Sequence, residues 1–193
     1  MHTSVQTGYP FKLHSRRIRG DLTVFSYRFY SPKANSTFII QAFYHEQISL
    51  FMLKFYNLTH KSKNKYAILT GKGDVRRILQ TNFDVMIQLL DAFPQASFGF
   101  MGERSYFKDK AAHQTLIEPM ENNQRFRVYK LFIQNPGIQH TIQPLFLQAY
   151  INMVSSYLLL NKSNKQFGSL TAYGQKVRSF LGSKYPTLNF TDL

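Results

Sequence analysis

Alternation opens the readable part of the chain. Between residues 22 and 31, Phe25, Tyr27 and Phe29 fall on one side of an extended backbone and Val24, Ser26 and Arg28 on the other, the period of two that a strand requires. A turn cluster from Ser31 to Ser36, with Pro32 and Asn35, separates this segment from residues 37–45 and 48–57, two further strands rich in Phe, Ile and Tyr. In the second of these, Ile48, Leu50 and Met52 share one face and Phe51, Leu53 and Phe55 the other, which predicts a central strand covered on both sides. A polar loop at 59–65 leads to a short fourth strand at 66–70. Short connections make an antiparallel meander the simplest arrangement of the four.

The period then changes. Val75, Ile78, Leu79, Phe83, Met86, Leu89, Leu90 and Phe93 recur at spacings of three and four, predicting a helix that Asp74 caps and Pro94 stops. Residues 96–101 and 125–133 read as two more strands. Between them lies a polar segment, 103–123, long for a plain connection and therefore mobile or functional. A second helix is expected over 142–160, where Ile142, Leu145, Phe146, Ala149, Tyr150, Met153, Tyr157 and Leu160 form a nearly unbroken stripe with Pro144 near its first turn. The tail is polar and basic, with a short helix at 171–181 before Gly182. The expected fold is α+β, an antiparallel sheet of about six strands with two amphipathic helices on one face, in the order ββββα-ββα. It divides the chain into a basic arm (1–20), one α+β domain (21–161) and a basic tail (162–193), and it leaves the second sheet face free or paired with a partner.

Composition narrows the class. The 193 residues include 24 Lys plus Arg against 10 Asp plus Glu, a formal net charge of +14, yet 44% are hydrophobic and 16% aromatic, too apolar for a disordered polycation. No cysteine occurs, which excludes disulfide frameworks, thiolate nucleophiles and Cys-ligated zinc and accords with a reducing cytoplasm. The longest apolar stretches, 38–55 and 142–160, are broken by Gln41, His45, Glu46, Gln47, Gln148, Asn152, Ser155 and Ser156. A spanning helix needs about 20 mostly apolar residues, so no membrane segment is expected. The N-terminus lacks the charged start and apolar run of a secretory signal, and a cytoplasmic location follows as the expectation.

The positive charge is segregated. Residues 1–33 carry Lys12, Arg16, Arg17, Arg19, Arg28 and Lys33 against Asp21. Residues 54–77 carry Lys54, Lys61, Lys63, Lys65, Lys72, Arg76 and Arg77 against Asp74, and residues 162–193 carry Lys162, Lys165, Lys176, Arg178 and Lys184 against Asp192. The remainder is close to neutral. Clustered cations beside aromatic rings suit single-stranded nucleic acid, whose phosphates need neutralising and whose unstacked bases need flat partners. The competing reading is a solvated Lys61–Lys65 hairpin with every ring in the core, and an amphipathic helix must cover some aromatic face, which assigns Phe25, Tyr27 and Phe29 to the interior.

The segment Arg125-Phe-Arg-Val-Tyr-Lys130, read as a strand, sends Arg125, Arg127 and Tyr129 to one side, where two guanidiniums and a phenol could grip a phosphate. The same arginines could instead pair with Glu103, Glu118 or Glu121. Gly71-Lys72-Gly73-Asp74 runs from strand to helix but lacks the Lys-Ser/Thr of a P-loop, and Asp74 as a cap would occupy the helix donors itself. The histidines, His2, His14, His45, His60, His113 and His140, show no metal-ligand spacing; no metal, cofactor or catalytic residue is assigned. A metal-independent ribonuclease would draw on His45, His113, Arg127 and Tyr129.

The run from Asn82 to Glu103, with Ala96-Ser-Phe-Gly-Phe-Met-Gly-Glu103 at its end, followed by the 125–130 segment, resembles a family of small uncharacterised proteins from the Bacteroidota. In that family a helix ending near a proline precedes a short strand, a Gly-containing turn and an Arg-x-Arg-x-Tyr-like strand. The resemblance covers roughly 73–160 and implies this unit, with no activity attached. In topology alone, the order of sheet and helices is similar to the Whirly and PUR groups of single-stranded nucleic-acid binders. The expectation is therefore a nucleic-acid-binding protein acting through Arg16, Arg17, Arg19, Lys61, Lys63, Lys65, Lys72, Arg76, Arg77, Arg125, Arg127, Tyr129 and Lys130. Single strands are favoured over duplex, and homo-oligomerisation is an open possibility. The alternative is a self-assembling or toxin/defence-system subunit that docks an acidic partner.

Overall fold

The computed structural model describes residues 8–59, 73–102, 106–109, 114–151 and 154–184. Its class is α+β, built on a mixed, mostly antiparallel seven-stranded sheet. The strands are β1 (Phe11–Arg19), β2 (Leu22–Ser31), β3 (Ser36–His45), β4 (Leu50–Asn57), β5 (Ser97–Met101), β8 (Phe146–Ile151) and β9 (Ser156–Asn161), in the order β1-β2-β3-β4-β5-β9-β8. Among the described strands only β4 and β5 pair in parallel. A separate hairpin joins β6 (Tyr106–Asp109) to β7 (Gln114–Ile117).

Strand parity decides what each face buries. Phe25, Tyr27 and Phe29 point to the same side as Phe38, Ile40, Phe51, Phe98 and Leu159. On that face lie α1 (Val75–Ala92), α2 (Gln124–Ile133) and α3 (Pro136–Ile142), which contribute Ile78, Met86 and Leu89, then Phe126 and Ile133, then Ile138 and Ile142. The opposite parity places Leu50, Met52, Leu158 and Leu160 on the other face, where α4 (Leu170–Lys184) covers them with Tyr173, Val177 and Leu181. Among the described residues, α-helices thus occupy both faces, three on one and α4 on the other.

Several elements differ from the sequence expectation. Residues 11–19, read as part of an arm, form β1 at the sheet edge, in antiparallel register with β2 apart from a bulge between Leu13 and Ser15. The chain is fixed before that strand starts: Tyr9 N donates to Thr81 Oγ1 at 2.8 Å, and its ring stacks on Phe29 with centroids 6.0 Å apart. Gly8 N donates to Asp84 Oδ2 at 3.0 Å, and a Cβ at Gly8 would come within 2.7 Å of the Thr81 backbone, so only glycine allows this approach. Cations on its outward positions hid β1 from an apolar alternation pattern.

Residues 125–130 are helical, in α2, because Asn123 caps the segment. Its Oδ1 accepts from Phe126 N at 3.0 Å while its Nδ2 donates to Gly102 O at 2.5 Å. The alternation of Arg125 to Lys130 is short; Phe126, Tyr129 and Ile133 recur at helical spacing, and α2 buries these three together with Arg125. The Arg-x-Arg-x-Tyr strand implied by the Bacteroidota resemblance is accordingly a helix here. Residues 142–160 are not one helix. They complete α3 and then form the β8/β9 hairpin, whose turn has Ser155 in the left-handed region at φ 47. A nearly unbroken apolar stripe fits either period, and β9, with Tyr157 to Leu160 at its centre, is buried along its whole length because both its faces are covered. The expected strand at 66–70 lies outside the described residues. The expected short helix at 171–181 is present as α4.

Candidate nucleic-acid interface

Helix α4 crosses only one end of its face. Tyr173 Oη donates to Ile48 O at 2.8 Å, the Phe180 ring lies 4.9 Å from that of His45, and Lys184 Nζ stands 3.4 Å from Asp21 Oδ2 in the β1–β2 turn. Beyond that end, the same face of β1 to β4 carries an open groove lined by strand residues and by Leu58 just after β4. Its floor is Val24, Ser26 and Ile39, each nearly inaccessible behind longer neighbours. The register sets the neighbours out in rungs: Lys12 beside Arg28, then Ile39 and Tyr56; Ser15 beside Ser26, Gln41 and Lys54; Arg17 beside Val24 and Phe43. Rungs on one face recur about every 7 Å along a strand.

Lys12, His14, Arg17, Arg19 and Arg28 on this face are exposed, and Tyr30 shows half of its surface while its hydroxyl donates to Asn35 Oδ1 at 2.6 Å. Not one Asp or Glu occurs in strands β1 to β4. Lys12, Arg28, Tyr30, Lys54 and Tyr56 were not singled out from the sequence as site residues. Their signal was available in the alternation of β2, where Arg28 opposes the parity of the aromatic face, but the position of β1 beside it was needed to see the patch.

Of the expected site residues that are described, only Arg17 and Arg19 belong to this groove. Arg16 has the opposite parity and lays its guanidinium over the Phe25 ring at 5.4 Å. Arg76 and Arg77 sit at the start of α1 with Lys33, whose Nζ donates to Gly73 O at 2.9 Å; Arg77 stacks over Tyr9 at 4.2 Å. Asp74 holds the N-cap position of α1, its carbonyl accepting from Ile78 N at 3.2 Å, but its side chain makes no cap hydrogen bond. Its carboxylate turns inward, accepting from Tyr9 Oη at 3.0 and 3.1 Å and from Ser31 Oγ. On α2, Arg125 is buried with its guanidinium 5.9 Å from the Phe55 ring, and Tyr129 lies between Phe55 and Phe100. Arg127 donates to Asn122 O at 2.5 Å, and Lys130 covers the Tyr150 ring at 4.1 Å. The α2 set therefore stabilises packing on the helix-covered face and does not converge with the groove. Lys61, Lys63, Lys65 and Lys72 lie outside the described residues.

His45, one of the ribonuclease candidates, is 3% exposed under Phe180, and neither ring nitrogen has a hydrogen-bond partner. Burial, with Lys184 adding to it, pushes its pKa down to about 4. A base that solvent and substrate cannot reach does not serve general-base chemistry. His113 lies outside the described residues. Among the described residues no group of three or more His, Asp and Glu could hold a metal ion, and no helix is long and apolar enough to cross a membrane. No protein-family model, curated protein or solved structure matches the chain.

Proposed function

We propose that the protein binds single-stranded nucleic acid along the open face of β1 to β4, by phosphate neutralisation with limited base stacking and without catalysis. The observation that carries this reading is the absence of any acidic residue from four adjacent strands whose open side bears Lys12, Arg17, Arg19 and Arg28. A face charged only for solubility mixes both signs; one sign over a contiguous surface favours a polyanion. Tyr30 adds an exposed ring beside Arg28, and a ring of this kind accepts any base, each stack being worth about 1–3 kcal/mol. A groove floored by Val24, Ser26 and Ile39, closed at one end by α4, suits a flexible strand better than a rigid duplex.

Fluorescence-anisotropy titration of labelled oligonucleotides tests the reading. With the four exposed cations each neutralising one phosphate, log K should fall against log salt with a slope of about −3 for a single strand. Failure to bind at low salt, or a response flat in salt, removes the proposal; tighter binding to an acidic polypeptide than to an oligonucleotide of equal charge replaces it with an acidic protein partner.

A further inference from the structure

The far edge of the sheet has the opposite character. From Leu131 to Asn161 the sequence contains no Lys, Arg, Asp or Glu, in a chain of which 18% is charged. This stretch supplies the end of α2, α3, β8 and β9. Within it β8 is the outermost strand, and among the described residues no strand pairs with its outer side. Its side chains include Leu147 at 47% and Tyr150 at 48% exposure, with Leu145 at 39% just before it.

The outer backbone of β8 is laid out for pairing. Lys162 N donates to Leu145 O, while Asn161 N turns the other way to Ser97 Oγ. With Phe146 opposite Asn161 and Leu147 opposite Leu160, this directs the peptide groups of Leu147, Ala149 and Ile151 toward β9 and those of Phe146, Gln148 and Tyr150 outward. Natural sheets protect such edges with charge, bulges or proline. β1, the other edge, has Lys12, Arg16, Arg17 and Arg19 and a bulge. β8 has none of these.

We infer that β8 pairs antiparallel with β8 of a second copy, joining two seven-stranded sheets across a twofold axis perpendicular to them. The occupant follows from charge. Two molecules of net charge +14 repel wherever their basic surfaces approach, and the 131–161 region is where a copy meets neither sign. A strand without charge is also compatible with itself under twofold symmetry, since no like charges are brought opposite each other. The nearest cations are engaged within their own protomer: Lys130 over Tyr150 at 4.1 Å, and Lys162 Nζ donating to Gln143 O at 2.7 Å. Nothing in this inference depends on what the basic groove binds.

Light scattering on nuclease-treated, full-length protein in moderate salt should give twice the 22.6 kDa of one chain. A mass of one chain, or any other multiple, overturns the inference. Leu147→Lys, which sets like charges across the axis, should halve the mass while the circular-dichroism spectrum is retained; an unchanged dimer would place the contact elsewhere. Should that variant fail to fold, cross-linking decides, because the natural chain contains no cysteine. Leu147→Cys should be captured as a covalent dimer by a short bis-maleimide and Ile18→Cys, on the opposite edge, should not; the reverse result, or capture of neither, refutes pairing at β8.

Discussion

Arg16 and Arg17 are chain neighbours with opposite surroundings. One extends over Phe25 on the helix-covered face, and the other stands exposed beside Val24. Their substitutions should therefore separate stability from binding. Arg17→Glu combined with Arg28→Glu is expected to weaken oligonucleotide binding at least tenfold at low salt with a thermal midpoint little changed, as anisotropy and calorimetry on the same sample would establish. Tyr30→Ala should cost a further factor consistent with one lost stack, about 1–3 kcal/mol. At His45 the effect is on folding. Its pKa, near 6.5 when unfolded, falls to about 4 in the folded chain, so the neutral ring is favoured and its contribution is complete above pH 6.5. Between pH 6.5 and 4 that contribution declines, and it is lost below about 4, a change on the order of 3 kcal/mol. Denaturant midpoints across that range should drop more steeply for the natural chain than for His45→Leu, which has no proton to take up.

Elements were legible where a single period had one explanation. The alternation of residues 22–31 and the three-and-four spacing of 75–93 each matched one structure, and β2 and α1 stand close to where the pattern put them. Legibility failed where two periods were both satisfied. Residues 142–160 place apolar side chains at spacings that satisfy a helix and a buried hairpin alike, and the choice rests on β9 having β5 on one side and β8 on the other, a long-range fact. At α2 the deciding interaction is also tertiary. Asn123 binds Gly102 O and Phe126 N together, and its own N–H donates to Ser155 Oγ at 2.9 Å. Asn123→Ala should accordingly destabilise the protein by about 1–2 kcal/mol in urea unfolding, whereas Asn123→Asp, which keeps the acceptor for Phe126 N, should recover part of that loss. The candidate site was half legible. The sign of its charge and two of its arginines came from local sequence, but the patch itself exists only because β1 lies beside β2, bringing Lys12 next to Arg28 and Arg17 next to Val24.

For the whole molecule, segregation of charge has a geometric counterpart: cations on the β1 to β4 half of the sheet, and a neutral edge at β8. The two halves meet at β5. That strand is the shortest of the seven, with five residues, and its partners are remote in sequence: Ser97 lies opposite Leu50, and Phe98 opposite Leu159. The β1 to β4 meander can close one local hairpin at a time, whereas β5 must wait for two long loops to close, which is slow because the chain entropy is lost before the contacts form. The sheet therefore has a seam. In pulse-labelled hydrogen exchange during refolding, amides of β2 and β3 should gain protection before those of β5 and β9, and equal rates would show that the sheet assembles as one unit. Under native conditions the same seam is where the basic half and the neutral half would part first, so transient opening of the protein should expose Phe98 and Gly99 while leaving the β1 to β4 hairpins closed.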